Sequence, residues 1–527
     1  MKKLIYFVMA ALLLSACTSE FDKANQNPYE ITNQSLTQDF NHIGSFFPTI
    51  MSNFFGHQIE ENLVAESFCD YMATPTPFAS GVNNTTYYIR WNTYWDRIYN
   101  NVMSPASQVI NIADQGGYTM FSAWAKLMKI LGMSRLTTYH GPVIYSNYGS
   151  ATNGGTYDSE SELYNAFFTQ LDAIQSTFAA NPTYTGFKKF DASYGSKNES
   201  EILAWRKLVN SLRLRLAIRI SKVAPAIAKT QGEKAIADPA GLILSNDDNF
   251  TISLYGQKLY LSIICFEWDD TRMSAGMESF LVGLKDPRIT KYFQPATKAS
   301  LYADHTDYPY KGIRNGAKLV AKDDHTPCSK INDSFKSITK RNYLAASEVY
   351  FDLAEAALRG WAGAGDAKTN YENGVKMSFA DWGAGGVDAY LADDTSKPIN
   401  YVDPVYDGVI NSFTSRSTVT VKWNDSDTPE QKLEKIITQK WIAGFFNPNE
   451  PWADFRRTGY PKLPTVYKND SSSDWGVIPA GEWIKRMPFV DSERSGNATG
   501  VKNAVTTMKG ADLISTRLWW DTGAANF

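Results

Sequence analysis

The chain has 527 residues, enough for two or three ordinary domains or one large layered one, and its 43% hydrophobic content indicates a packed globular body. A formal net charge of −3 argues against nucleic acid, which needs a basic stripe to neutralise phosphates. Aromatic residues reach 13%, with 14 Trp, 29 Tyr and 28 Phe, more than a core alone requires, so stacking surfaces are expected beside buried rings.

The first 16 residues carry two lysines, an apolar run too short for a comfortable membrane span, and then small residues. Leu14-Ser15-Ala16-Cys17 reads as a lipobox, so residues 1–16 are expected to be a cleaved signal peptide and Cys17 the lipidated (palmitate-bearing) N-terminus. Residues 17–35 are polar, with Asn, Pro and Ser scattered through them, and read as a flexible tether. No later stretch approaches a membrane-spanning apolar run, so the anchor is expected to be lipid. Cys69, Cys265 and Cys328 are far apart and form no metal spacing; free buried thiols are expected.

Residues 36–527 read as a single domain. A helix over Asp39–Asn62 is expected to be interrupted at Pro48. Helical periodicity then runs over Met120–Thr138, over Glu162–Phe178 with Asp158 or Ser159 as cap, and over Glu201–Ile227. In the last of these, Leu208, Leu212, Leu216 and Ile220 form one row, and Arg213, Arg215 and Arg219 are expected to pair with carboxylates inside the body. Ala345–Trp382 is a helical hairpin: Val349, Leu353, Ala357 and Trp361 on one stripe, Glu355 and Arg359 spaced as an ion pair, then a small-residue turn with Asp366 as a cap. Glu348, Asp352 and Glu355 form either a polar face or the partners of those arginines. A last helix covers Pro429–Phe446, and the chain beyond Asn447 reads mostly as loop. Loop-rich insertions fall near 63–92, 240–330 and 383–428, with strands expected at Phe250–Leu254 and Ser417–Trp423. The fold class is therefore mainly α: about four tetratricopeptide-like hairpins as scaffold, with a loop-rich face and a few short strands.

No catalytic spacing is present: no GxSxG, no HExxH, no phosphate loop, no metal set, and no cofactor is implied. Glu60-Glu61 and Asp269-Asp270 could serve a glycosidase only if set across a sugar; solvated surface acids are the plainer expectation. A binding surface fits better, because sugar rings present C–H faces that suit planar aromatics beside amides and carboxylates. Two loop segments have that composition: Tyr71–Asn92, with Phe78, Asn83, Asn84, Tyr87, Tyr88, Trp91 and Asn92, and Tyr255–Arg272, with Trp268, Asp269, Asp270 and Arg272. The alternative is that these rings plug the loops onto the body. Trp519-Trp520 is expected in the core.

Ile437-Thr-Gln-Lys-Trp-Ile-Ala-Gly-Phe445 followed by Trp452-Ala-Asp-Phe-Arg-Arg-Thr-Gly-Tyr-Pro461 resembles the signature of the SusD/RagB-like nutrient-binding lipoproteins of Bacteroidota, nearest the subgroup with the Arg-Arg-Thr-Gly-Tyr-Pro motif. Asn210–Arg219, Ser347–Ala357 and Arg486–Glu493 extend the resemblance over nearly the whole chain. It implies four hairpins supporting a variable loop region, on an outer-membrane lipoprotein facing outside the cell. It further implies a non-enzymatic role: capturing oligosaccharides, or in some members peptides, for a SusC-type TonB-dependent transporter. A helical glycoside hydrolase is the remaining alternative.

Overall fold

The structure is a computed structural model, described here for residues 37–152, 155–406 and 408–527. The expected signal peptide, Cys17 and tether lie outside the described residues. The chain divides into two compact units, Met1–Ser45 and Phe46–Phe527; in the first, Gln38–Phe40 and Asn41–Gly44 are short helical turns. Among the described residues no helix is long and apolar enough to cross a membrane.

The second unit is built on four helical hairpins: Ser104–Gly116 with Thr119–His140, Glu160–Ala180 with Glu201–Arg219, Ala346–Leu358 with Ala367–Asp381, and Pro429–Ala443 with Asn449–Thr458. Local chemistry sets their starts. Ser159 and Glu162 form a reciprocal capping box, as do Thr428 and Gln431, and Asp366 accepts the Thr369 N–H at 2.8 Å. Small residues let the third hairpin close: a Cβ on Gly374 would sit 2.7 Å from the Phe351 ring. Trp361 lies closer still to Gly232 in the additional helix Pro225–Ala237, where a Cβ would meet the ring at 2.1 Å.

Burial of charge is the scaffold's second feature. Arg215 pairs with Glu348 at 2.6 Å, and Arg219 pairs with Glu450. Lys440 lies 2.6 Å from Asp352 and 2.8 Å from Asp454, and Arg457 grips Glu355 at 2.6 Å and Asp454 at 3.1 Å. This buried chain of charges ties the second, third and fourth hairpins together. Glu348, Asp352 and Glu355 are thus one set of partners within it, and Arg213 pairs with Asp172 at 2.5 Å. Unpaired, any of these groups would be costly at such burial, so the network fixes hairpin register.

Several expected elements differ. Pro48 opens the helix Phe47–Ser52 and does not break one, because a first-turn N–H is not needed. The expected helix Glu201–Ile227 is two, with Pro225 starting the second at N1. Ser417–Trp423 forms no strand: it bends at Val421–Lys422, the Tyr371 hydroxyl donates to Val421 O and Lys435 Nζ to Thr420 O, and the Lys422 N–H donates to Asp393 O, so scattered bonds replace the ladder. The chain beyond Asn447 is mostly loop, as expected, broken by helices at Asn449–Thr458, Asp491–Gly496 and Ala498–Met508. Glu60 and Glu61 are buried rather than solvated, held by Arg97 at 2.7 Å and Arg341 at 2.6 Å.

Much of the aromatic surplus is core. Trp124 stacks on Phe47 at 3.6 Å and on Phe187 at 4.3 Å, and Trp205, Trp441, Trp452 and Trp520 are fully buried. Cys69, Cys265 and Cys328 are buried free thiols. The loop face has a small core of its own, with Ala73, Leu301, Ile313 and Cys328 in contact. Two antiparallel pairs brace it: β1 (Met72–Ala73) on β3 (Arg272–Met273), and β2 (Phe250–Ser253) on β4 (Lys340–Leu344).

Candidate functional site

Pairing of β1 with β3, in register Met72 to Met273 and Ala73 to Arg272, brings the two aromatic loop segments side by side. Immediately beyond the pair, the Thr76 hydroxyl donates to Asp270 Oδ1 at 2.6 Å, and Lys322 Nζ reaches the same oxygen at 2.6 Å. Gln58 Nε2 lies 3.5 Å from Asp270 Oδ2. Asp270 is therefore a junction between segments far apart in sequence.

Trp268 stands two residues from that junction and is 42% exposed. It caps a π-helical turn, Ile263–Glu267, and its N–H bonds Ile263 O at 3.0 Å. Such a widened turn carries an extra residue per turn and often marks functional positions. Lys322 Nζ also holds Trp268 O at 2.9 Å. The indole meets Tyr260 edge-on at 5.4 Å, and Tyr260 meets His57 at 4.3 Å, giving a row of three rings. Beneath the row, Arg97 joins His57 to Glu60; burial raises the Glu60 carboxyl, but His57 and Arg97 outweigh it and hold it below the ordinary range.

On the other side of the Thr76–Asp270 bond, Phe78 meets Trp91 edge-to-face at 5.4 Å, with the Arg90 guanidinium 5.1 Å from the Trp91 ring centre. Asn84, fully buried, accepts the Arg90 and Trp91 N–H groups at 2.8 and 3.1 Å and donates to Trp91 O at 2.8 Å. It fixes the backbone that carries the ring. A cleft of about 220 Å³ opens next to this pair, walled by Thr76, Pro77, Thr86, Lys318 and Lys468.

Phe78, Trp91, Trp268, Asp269 and Asp270 are thus half-buried or exposed around one junction, and Tyr88 is exposed nearby in sequence. Asn92 spends its amide on Pro488 O at 2.7 Å. Asn83, Asn84 and Tyr87 are buried and anchor their loop. Arg272 is a correction: it is 0% exposed, and its guanidinium donates to Thr326 O, Thr271 O and Asp269 Oδ1, so it supports the loop from below instead of meeting a ligand. Asp269 also pairs with Lys330 at 2.7 Å; burial raises its carboxyl, and Lys330 and Arg272 more than reverse that. His57, Tyr260, Thr76 and Lys322 escaped sequence reasoning, since only the fold brings them together. The one available signal was the position of Tyr260 inside the Tyr255–Arg272 segment. Among the described residues no cluster of His, Cys, Asp or Glu is arranged to hold a metal ion.

A family model for SusD-like proteins, the SusD and RagB outer membrane lipoproteins, matches residues 23–521, and the chain belongs to that family. Solved structures agree. A chitin-binding SusD homologue from Flavobacterium johnsoniae is 40% identical, with a TM-score of 0.86 over 92% of this chain and 100% of that one. A SusD homologue from Bacteroides vulgatus is 33% identical, with a TM-score of 0.85 over 93% and 99% of the two chains. Another, from Bacteroides uniformis, is 32% identical, with a TM-score of 0.82 over 91% and 99%. No curated protein matches the chain.

Proposed function

We propose that this protein captures oligosaccharides at the outer membrane and passes them to a SusC-like TonB-dependent transporter, and that its ligands are β-linked N-acetylglucosamine oligomers. The observation that carries the reading is the half-exposed Trp268 indole, set with Tyr260 and His57 beside the Phe78–Trp91 pair across the Thr76–Asp270 bond. Sugar C–H faces pack on such rings, while Asp270, Lys322 and the polar cleft wall offer partners for hydroxyl and acetamido groups. Similarity at 40% identity to a chitin-binding homologue supports the sugar class. Affinity from a few rings and hydrogen bonds is modest, which suits a protein that must release its cargo.

The reading is non-enzymatic. Asp269 is paired with Lys330 and Arg272, and Asp270 with Lys322, so both carboxyls are engaged in holding the loops together. Lipid attachment at Cys17 and outward display belong to the same proposal.

Calorimetric titration with chitotetraose tests it. Trp268→Ala and Trp91→Ala should each weaken binding roughly tenfold, the equivalent of about 1.4 kcal/mol, while the thermal transition stays within a few degrees of wild type. Normal binding by both variants overturns the site. Binding of peptides but of no glycan would replace the substrate class.

A further inference from the structure

On the far side of the strap formed by residues 463–468 lies a second cleft, of about 230 Å³, whose walls carry Arg416, Arg456, Lys462, Lys485 and Arg517 against a single wall acid, Glu482. Trp483 forms part of its wall: its indole N–H donates to Pro464 O in the strap at 3.0 Å, and its ring packs edge-on against Phe455 at 5.3 Å. Some of the cations are answered. Lys485 holds Glu482 at 2.8 Å, Lys462 reaches Glu434 at 2.9 Å, and Arg517 reaches Asp521 at 2.6 Å. Two are not. Arg416 is exposed and lies over the Trp483 ring at 4.8 Å, with no ion pair among the described residues.

Arg456 is the more telling of the two. It is 6% exposed and sandwiched between the indoles of Trp452 at 3.6 Å and Trp520 at 4.9 Å. Its Nη1 donates to Thr138 O and Lys485 O, yet its Nη2 has no partner among the described residues. A buried guanidinium N–H left unanswered is expensive, and its position in the wall of a cationic cleft gives the deficit a direction. Burial draws Arg456 below the ordinary arginine range and Arg219 adds to that, while Asp521 and Glu160 offset part of it.

We propose that this cleft is an oxyanion site, taking a carboxylate, sulfate or phosphate group between Arg416, Arg456 and Lys462. Planar and tetrahedral oxyanions both suit guanidinium forks, and the source is either an acidic substituent on a captured sugar or a free anion. The site is separate from the Trp268 surface and does not depend on that surface's ligand.

Titrating the purified protein with sodium sulfate, sodium phosphate, a galacturonate tetramer and a sulfated disaccharide, at low and at 150 mM salt, tests it. The expected result is millimolar or tighter binding of at least one, weakened severalfold by salt. Arg416→Glu should reduce it at least tenfold and Lys462→Ala about threefold, with unchanged melting and unchanged binding of any neutral glycan. Tighter binding of the acidic sugars than of the inorganic ions assigns the site to ligand capture; equal binding assigns it to free anions. Absence of binding by the wild-type protein, or wild-type binding by Arg416→Glu, overturns the proposal.

Discussion

The third and fourth hairpins and the Asp270 junction are made of the same materials, acids, basic residues and tryptophans, yet they do opposite things with them. In the hairpins Glu355, Asp454, Arg457 and Lys440 are all buried, and each charge is answered by another within 3.1 Å. At the junction Asp270 and Lys322 are paired just as closely, at 2.6 Å, but stay partly in water beside an exposed indole. The difference in solvent decides their value. A desolvated pair interacts strongly and punishes the loss of one partner, whereas a wet pair is worth little and leaves its neighbours free to meet a ligand. The same chemistry thus becomes frame in one place and contact surface in the other.

The sharpest way to break that contrast is Arg457→Ala. It takes from Glu355 and Asp454 the cation they share and leaves them Arg359 and Lys440, so about 3 kcal/mol of stability should be lost, seen as a large fall in the denaturation midpoint. Chitotetraose affinity of the remaining folded protein should not change. A small loss of stability would mean that water reaches the network.

Acid denaturation probes the same frame without mutation. Burial pushes the Glu355 carboxyl up, but Arg457 and Arg359 overcome this and hold it at about 2, below its ordinary 4.5. Because the folded-state value is the lower one, the stabilisation is complete above about pH 4.5 and is lost as pH falls toward 2, a contribution on the order of 3 kcal/mol. Equilibrium unfolding should therefore show stability dropping through that window. In Arg457→Ala the drop should be smaller, because the folded-state value moves back toward the ordinary one once that cation is gone.

The scaffold half of this comparison was legible in the sequence and the site half only in outline. Leucine rows, the Asp366 and Ser159 caps and the family signature all report local period or local hydrogen bonding, so they specify helices directly. Errors arose where a distant partner decided the matter. Ser417–Trp423 reads as a strand until Tyr371 and Lys435 take its carbonyls, and Glu60-Glu61 reads as surface until Arg97 and Arg341 are folded over it. At the site, Trp268 and Trp91 could be named from loop composition. Arg272 could not be told from a ligand-facing arginine, because its burial depends on Thr326 O, 54 residues away. Thr76 and Lys322 carry no signal of their own; the β1–β3 pairing brings Thr76 to Asp270, and the bonds from Arg272 to Thr326 O hold the segment that carries Lys322 beside it.

Whether the two ring groups act on one ligand is a finer question. If a single glycan spans them, the double variant Trp268→Ala/Trp91→Ala should lose less than the sum of its parts for chitotetraose, since the second ring has no anchored chain left to hold. Chitobiose, too short to reach both, should show additive or single-site behaviour. Strict additivity with the tetramer would place the rings on separate ligands.

The smallest effect expected is at Lys322. Its ammonium is about a third exposed, so Lys322→Ala should change stability by no more than about 1 kcal/mol. Yet Lys322 ties Trp268 O to Asp270, and without that tie the capping residue of the π turn gains freedom that binding must then remove. Immobilising one more rotamer-rich group costs roughly 0.5–1 kcal/mol, so chitotetraose affinity should fall about threefold while melting hardly moves. Measured beside Arg457→Ala, the two variants should give mirror-image results: stability without affinity in the frame, and affinity without stability at the junction. A Lys322 variant that melted early but bound normally would put the junction among the structural pairs and leave only the rings as contact surface.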